Sequence, residues 1–154
     1  MKRLIMKKFK EKKIGLTTGC FDMLHEGHIN LLKNAKKYVD VLIVCLSDDE
    51  YSLKHKGKKP VIKLEERKRV LQNLDIVDAV DVQSLTFGKA DLIKKYKPDY
   101  LFVGDDHLKD YNGEGLGVPV IYLPYTKGIS STMLREKPDI LPCLKATGFY
   151  GRKT

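Results

Sequence analysis

Ile14-Gly15-Leu16-Thr17-Thr18-Gly19-Cys20-Phe21-Asp22-Met23-Leu24-His25-Glu26-Gly27-His28 joins two different periodicities. Ile14 to Thr18 is a short β-like run. Ile29, Leu31, Leu32, Ala35 and Val39 then recur at helical spacing, which predicts a helix from Ile29 to Tyr38. His25 and His28, with Gly27 between them, fall where that helix begins. A helix N-terminus presents unpaired N–H groups and the positive end of the helix dipole, so it favours an anion. Imidazoles add donors for a phosphate there. Gly27 has no side chain to keep a phosphate from the backbone. These features point to the handling of a nucleoside triphosphate.

The alternation continues outward. Val41-Leu42-Ile43-Val44-Cys45-Leu46 is unbroken apolar sequence, as a strand buried on both faces requires. Residues 47 to 63 are polar and Lys-rich, with Gly57 and Pro60, and predict a long loop. Glu65 and Glu66 open a helix that continues through Val70, Leu71 and Leu74. Val77 to Val82 predicts a strand, and Lys89 to Lys97 a helix stopped by Pro98. Tyr100 to Val103 is a strand leading into Gly104-Asp105-Asp106. A polar, Gly-rich loop follows over residues 108 to 117. Val118 to Leu123 is the last strand, its Pro119 best tolerated on an edge. Ser130-Ser131-Thr132 caps a final short helix.

Alternating strands and helices predict an α/β fold, a doubly wound parallel five-stranded sheet with helices on both faces. Such sheets bind ligands at the carboxyl ends of their strands. Three polar clusters fall there: Thr18 to His28, Gly104 to His107, and Thr126 to Thr132. The expected organisation is a basic lead-in over residues 1–13, one domain over 14–136 and a tail over 137–154.

The chain has 154 residues, 42% of them hydrophobic, enough for one core and against disorder. No apolar run approaches the roughly 18 residues of a membrane span. The basic start lacks the apolar stretch and cleavage site of a signal peptide. Cys20, Cys45 and Cys143 show no metal or redox spacing, which suggests a reducing cytoplasm. The net charge of +9 fits an electropositive phosphate cleft. Without an aromatic-interleaved basic motif, neither nucleic acid nor membrane is expected as a partner.

Rival chemistries fit less well. His-x-x-His can chelate, but zinc recruits further His or Cys, and only His55 and His107 remain. The His-Glu-x-x-His helix of metallopeptidases is absent, so no protein-held metal is expected. Neither a Gly-x4-Gly-Lys-Ser/Thr loop nor a Gly-x-Gly-x-x-Gly turn is present.

Gly19-Cys20-Phe21-Asp22-x-Leu24-His25-x-Gly27-His28 resembles the first signature of the cytidylyltransferase-like nucleotidyltransferases. Gly128-Ile129-Ser130-Ser131-Thr132 resembles the family's Gly-Ile-Ser-Thr-Thr element. Glu66-Arg67-Lys68, Val77-Asp78-Ala79-Val80 and Gly104-Asp105-Asp106 fall between them in the expected order. The match runs from about Ile14 to Arg135. It is similar to the small bacterial glycerol-3-phosphate cytidylyltransferases. Lys56-Gly57-Lys58-Lys59-Pro60-Val61 is also similar to a loop of heptose-phosphate adenylyltransferases.

The resemblance implies a Rossmann-like three-layer α/β/α fold and one reaction. A phosphorylated substrate attacks the α-phosphate of a nucleoside triphosphate, and pyrophosphate leaves. It implies that His25 and His28 contact the triphosphate, with Lys56 and Ser131 sharing the catalytic work. It places Gly19, Cys20, Phe21, Asp22, Gly27, Lys54, Gly104, Asp105, Asp106, Lys127, Gly128, Ile129, Ser130 and Thr132 around the nucleotide. Arg67, Lys89 and His107 would face the acceptor. Mg2+ is implied, held mostly by substrate phosphates and water, and so is a homodimer.

Two positions depart from the glycerol-3-phosphate cytidylyltransferases. Tyr125 stands where they carry Arg, and so does Asp75 or Ile76. Each change removes a bidentate phosphate donor, and Lys127 is the nearest substitute charge for the first. Base and acceptor therefore stay open between CTP with a small phosphorylated alcohol such as glycerol-3-phosphate and ATP with a heptose, flavin-like or pantetheine-like phosphate. A nucleotide-binding protein without turnover is the non-enzymatic alternative.

Overall fold

A computed structural model describes residues 12–104 and 116–124. Five strands, β1 (Ile14–Gly19), β2 (Val41–Ser47), β3 (Ala79–Gln83), β4 (Tyr100–Gly104) and β5 (Val120–Leu123), form one sheet in the order β3-β2-β1-β4-β5. Every pairing is parallel. Four helices among the described residues connect them: α1 (Glu26–Lys36), α2 (Asp49–Lys56), α3 (Leu64–Gln72) and α4 (Lys89–Tyr96).

Alternation along the strands divides the core between the two faces. Leu42, Val44 and Leu46 of β2 pack with Ile29, Leu32 and Ala35 of α1 and with Val70 and Leu71 of α3. Ile43 and Cys45, the intervening residues, pack with Leu16, Leu101 and Leu92 of α4. The sheet is therefore sandwiched between helices, the three-layer Rossmann-like arrangement. An apolar run with no polar face can be satisfied only in this way.

Gly15 is fixed by this packing. A Cβ there would lie 2.4 Å from Cε2 of Phe102 and 3.1 Å from both methyls of Val39. Phe102 is 1% exposed, so its ring has nowhere to retreat. Gly15→Ala is expected to cost about 1–3 kcal/mol through overpacking. Urea unfolding checks this as a lower midpoint at unchanged m-value.

Several boundaries differ from the sequence expectation, and β5 starts at Val120 rather than Val118. The helix after β1 starts at Glu26 rather than Ile29, because His25 caps it. β3 starts at Ala79 rather than Val77. Just before it, the Asp78 carboxylate accepts from Leu42 N at 2.8 Å and from Lys36 Nζ at 2.5 Å. The long loop predicted over residues 47–63 contains helix α2. Asp48 caps it by accepting from Tyr51 N, Asp49 and Glu50 occupy its first turn, and Gly57 closes it at φ 74°. Only Ser52 is buried along it, so its polarity hid a helix that its caps support.

The parts of the expected domain plan at residues 1–11 and 125–154 lie outside the described residues.

Candidate active site

The order β3-β2-β1-β4-β5 reverses direction between β1 and β4. The crevice beyond those two carboxyl ends is where open α/β sheets take ligands. β1 and β4 end at Gly19 and Gly104, both without side chains to fill it.

From Gly19 the chain turns sharply into α1. Phe21 and Met23 hold φ of 49° and 50°, left-handed values that non-glycine residues rarely adopt. Such a conformation costs on the order of 1 kcal/mol or more per residue. Their side chains are 7% and 1% exposed. Burying them contributes roughly 1.5–3 kcal/mol each, which offsets the strain. The core thus holds the turn that aims the histidines.

The histidines cap the helix reciprocally. Gly27 N donates to Nδ1 of His25 at 3.0 Å, and His25 N donates to Nδ1 of His28 at 3.2 Å. The rings stack, with centroids 3.9 Å apart and planes 24° apart. Phe21 lies against His28 at 5.2 Å between centroids. Both Nδ1 atoms accept, so each neutral ring carries its proton on Nε2. The pair therefore presents two Nε2–H donors at a helix N-terminus.

Burial lowers the His25 pKa from 6.5 to about 4. His28 is also held well below 6.5, first by burial, then by the charges of His25 and Lys56. Both imidazoles are neutral at pH 7. They therefore present N–H donors and no charge, and Lys54 and Lys56 of α2 are cations.

The other expected site residues are placed as follows. Cys20 is part-buried, its Sγ 3.8 Å from Ser52 Oγ of α2. Asp22, expected at the nucleotide, is 2% exposed and accepts from Val61 N and Ile62 N at 2.8 and 2.9 Å. Its carboxylate anchors the segment that returns from α2. Lys54 and Lys56 are exposed in the last turn of α2, where cations suit the helix dipole. Lys89 opens α4, and burial lowers its pKa.

Arg67 departs most from expectation. As an acceptor ligand it would face the crevice, yet its side chain is 1% exposed. Nε donates to Ile62 O at 2.9 Å, Nη1 to Cys20 O and Ser47 O at 2.8 Å each, and Nη2 to Asp49 Oδ1 at 3.1 Å. A buried guanidinium requires such partners. Sequence alone does not show that three carbonyls and a carboxylate converge on it. Asp105, Asp106, His107, Lys127, Gly128, Ile129, Ser130, Ser131 and Thr132 lie outside the described residues.

The sequence model described as cytidylyltransferase-like matches residues 16–137. The chain belongs to the cytidylyltransferase-like family. The family match takes in the capped histidine turn, most of β1 and all of β2 to β5.

Glycerol-3-phosphate cytidylyltransferase of Bacillus spizizenii is 40% identical over 127 residues, 79% of this chain and 93% of that protein. Bifunctional protein HldE of Desulfatibacillum aliphaticivorans is 41% identical over 129 residues, 80% of this chain. The aligned region spans only 26% of that longer relative. Among solved structures, the lipopolysaccharide core biosynthesis protein of Thermoplasma volcanium has a TM-score of 0.64 at 26% identity. That match covers 77% of this chain and 99% of the other. The chain is thus a cytidylyltransferase-like nucleotidyltransferase. No helix among the described residues is long and apolar enough to cross a membrane.

Proposed function

We propose that this cytidylyltransferase-like chain transfers the nucleoside monophosphate of a nucleoside triphosphate, CTP in preference, to a small phosphorylated alcohol such as glycerol-3-phosphate. The observation that carries the reading is the reciprocally capped histidine pair at the start of α1, beside the reversal in strand order. An oxygen of the acceptor phosphate attacks the α-phosphorus. The bond from that phosphorus to the bridging oxygen breaks, and pyrophosphate leaves with the electron pair. No covalent enzyme intermediate is needed, so catalysis consists of positioning and stabilising developing charge.

In this reading the two Nε2–H groups donate to the triphosphate where charge builds. Lys54 and Lys56 approach from α2, and Lys89 from the start of α4 serves the acceptor phosphate. Ser131 would share the catalytic work, and Lys127, Gly128, Ile129, Ser130 and Thr132 would surround the phosphates. Asp105 and Asp106 would place the ribose or base, with His107 toward the acceptor.

Among the described residues no group of three or more His, Cys, Asp or Glu is placed to hold a metal. The Asp22 carboxylate already accepts two backbone N–H groups. In this reading Mg2+ enters as part of the nucleotide complex, where it would neutralise phosphate charge. A homodimer in the cytoplasm completes the proposal.

Coverage of 93% of a glycerol-3-phosphate cytidylyltransferase supports CTP and a small acceptor. The adenylyl alternative, from ATP to a heptose phosphate, is favoured by the Lys56-to-Val61 loop and by the 41% identity to HldE. Pyrophosphate release across CTP, ATP, GTP and UTP with a panel of phosphorylated alcohols separates them. Turnover with CTP alone is the expected result. Turnover with ATP alone selects the alternative, and tight binding without pyrophosphate rejects catalysis.

A further inference from the structure

The segment between β2 and α3 is gripped at both ends. At its start, Arg67 binds the carbonyl of Ser47 and the carboxylate of Asp49. At its return, Asp22 accepts the N–H of Ile62 while Arg67 Nε binds the carbonyl of the same residue. Arg67 also holds Cys20 O, which fixes the histidine turn to the same guanidinium. Between these grips lie α2, with Lys54 and Lys56, and residues 57–61.

We propose that Arg67 is a positioning residue: with Asp22 it fixes α2 and residues 57–62 against the β1–α1 turn, so that Lys56 and the histidine pair act on the same anion. This rests on the nucleotidyl-transfer reading above. A planar guanidinium can meet these divergent acceptors together, whereas an ammonium cannot match that fork. The side chain is too buried to serve as an acceptor ligand. The charge of Lys56 already acts on His28, which places the two in one electrostatic neighbourhood.

The test is a double-mutant cycle with Arg67→Lys and Lys56→Ala. It is read as kcat and KM for pyrophosphate release from CTP with glycerol-3-phosphate, and as the pH titration of the His28 imidazole by NMR. Arg67→Lys is expected to lower kcat/KM about 10-fold, the scale of a small misplacement. In the Lys56→Ala background it should add little, because both changes remove one interaction. His28 should titrate at higher pH in both single variants, since each withdraws the Lys56 charge. In the Lys56→Ala background Arg67→Lys should move the His28 titration no further. A further upward move, which loosening of the buried turn by itself would cause, or independent losses in kcat/KM, overturns the proposal.

If Arg67→Lys does not fold, Asp22→Asn carries the same cycle, loosening the Ile62 end and leaving the guanidinium in place. If no nucleotide supports turnover, the nucleotidyl-transfer reading falls, while the His28 titration still decides whether Arg67 places Lys56.

Discussion

His28→Ala is expected to reduce turnover by roughly 100-fold or more, the scale for losing a preorganised donor to developing charge. Neutral imidazole supplies this donor without reorganisation, because Nδ1 is already engaged by His25 N at 3.2 Å. The same hydrogen bond complicates the substitution, since alanine also removes a helix cap. His28→Gln separates the two effects. Glutamine at this helix position returns an acceptor to the cap N–H, as in an ordinary capping box. It lacks the imidazole N–H that stacks beside His25. Its thermal midpoint should approach that of the parent while its turnover stays low. Near-normal turnover in both variants would remove His28 from the chemistry.

Stability should fall as the medium is acidified from pH 6.5 to about 4. The folded His25 pKa is about 4 against 6.5 for an unperturbed imidazole, and burial is the cause. The unfolded chain therefore takes up the proton first, and proton uptake favours the state that binds it. The contribution is fully present above pH 6.5 and is lost as pH falls through the folded value. A shift of this size corresponds to about 3 kcal/mol from His25. His28 is shifted the same way and steepens the decline. Urea midpoints measured between pH 7 and pH 4 give the slope. His25→Asn keeps a side-chain acceptor at the cap but removes the titration, so its slope should be shallower. An unchanged slope would mean that His25 is not buried in its neutral form.

The two effects share one cause. Rings buried enough to stay neutral hold their N–H groups fixed, and the same burial is expected to make the turn sensitive to acid. A surface histidine pair would be acid-tolerant and would orient less well.

The legible parts of the sequence were those governed by local rules. Val41 to Leu46 announces a strand buried on both faces, and the sheet buries it from both sides. The Gly-His spacing places imidazoles at a helix start, because a strand run stops and a helical period begins there. Helix α2 was missed because only Ser52 is buried along it, so it has no apolar stripe. The run Asp48-Asp49-Glu50 and the later Lys54-His55-Lys56-Gly57 were its signals. Capping chemistry was a better guide there than periodicity.

Arg67 and Asp22 were legible as residues but not as contacts. Arginine beside glutamate in Glu66-Arg67-Lys68 is equally consistent with a surface pair or an anion ligand. What turned it inward is the meeting of Cys20, Ser47, Ile62 and Asp49, spread over 42 positions of sequence, from Cys20 to Ile62. Sequence by itself determined the alternation of strands and helices and the place of the histidines, since these follow from nearest-neighbour patterning, and its ordered motifs carry the resemblance to the family. Tertiary structure alone decided the neutral state of both imidazoles and the inward course of the guanidinium. Burial and long-range convergence of polar groups are properties of the packed chain, and no local run of residues encodes them.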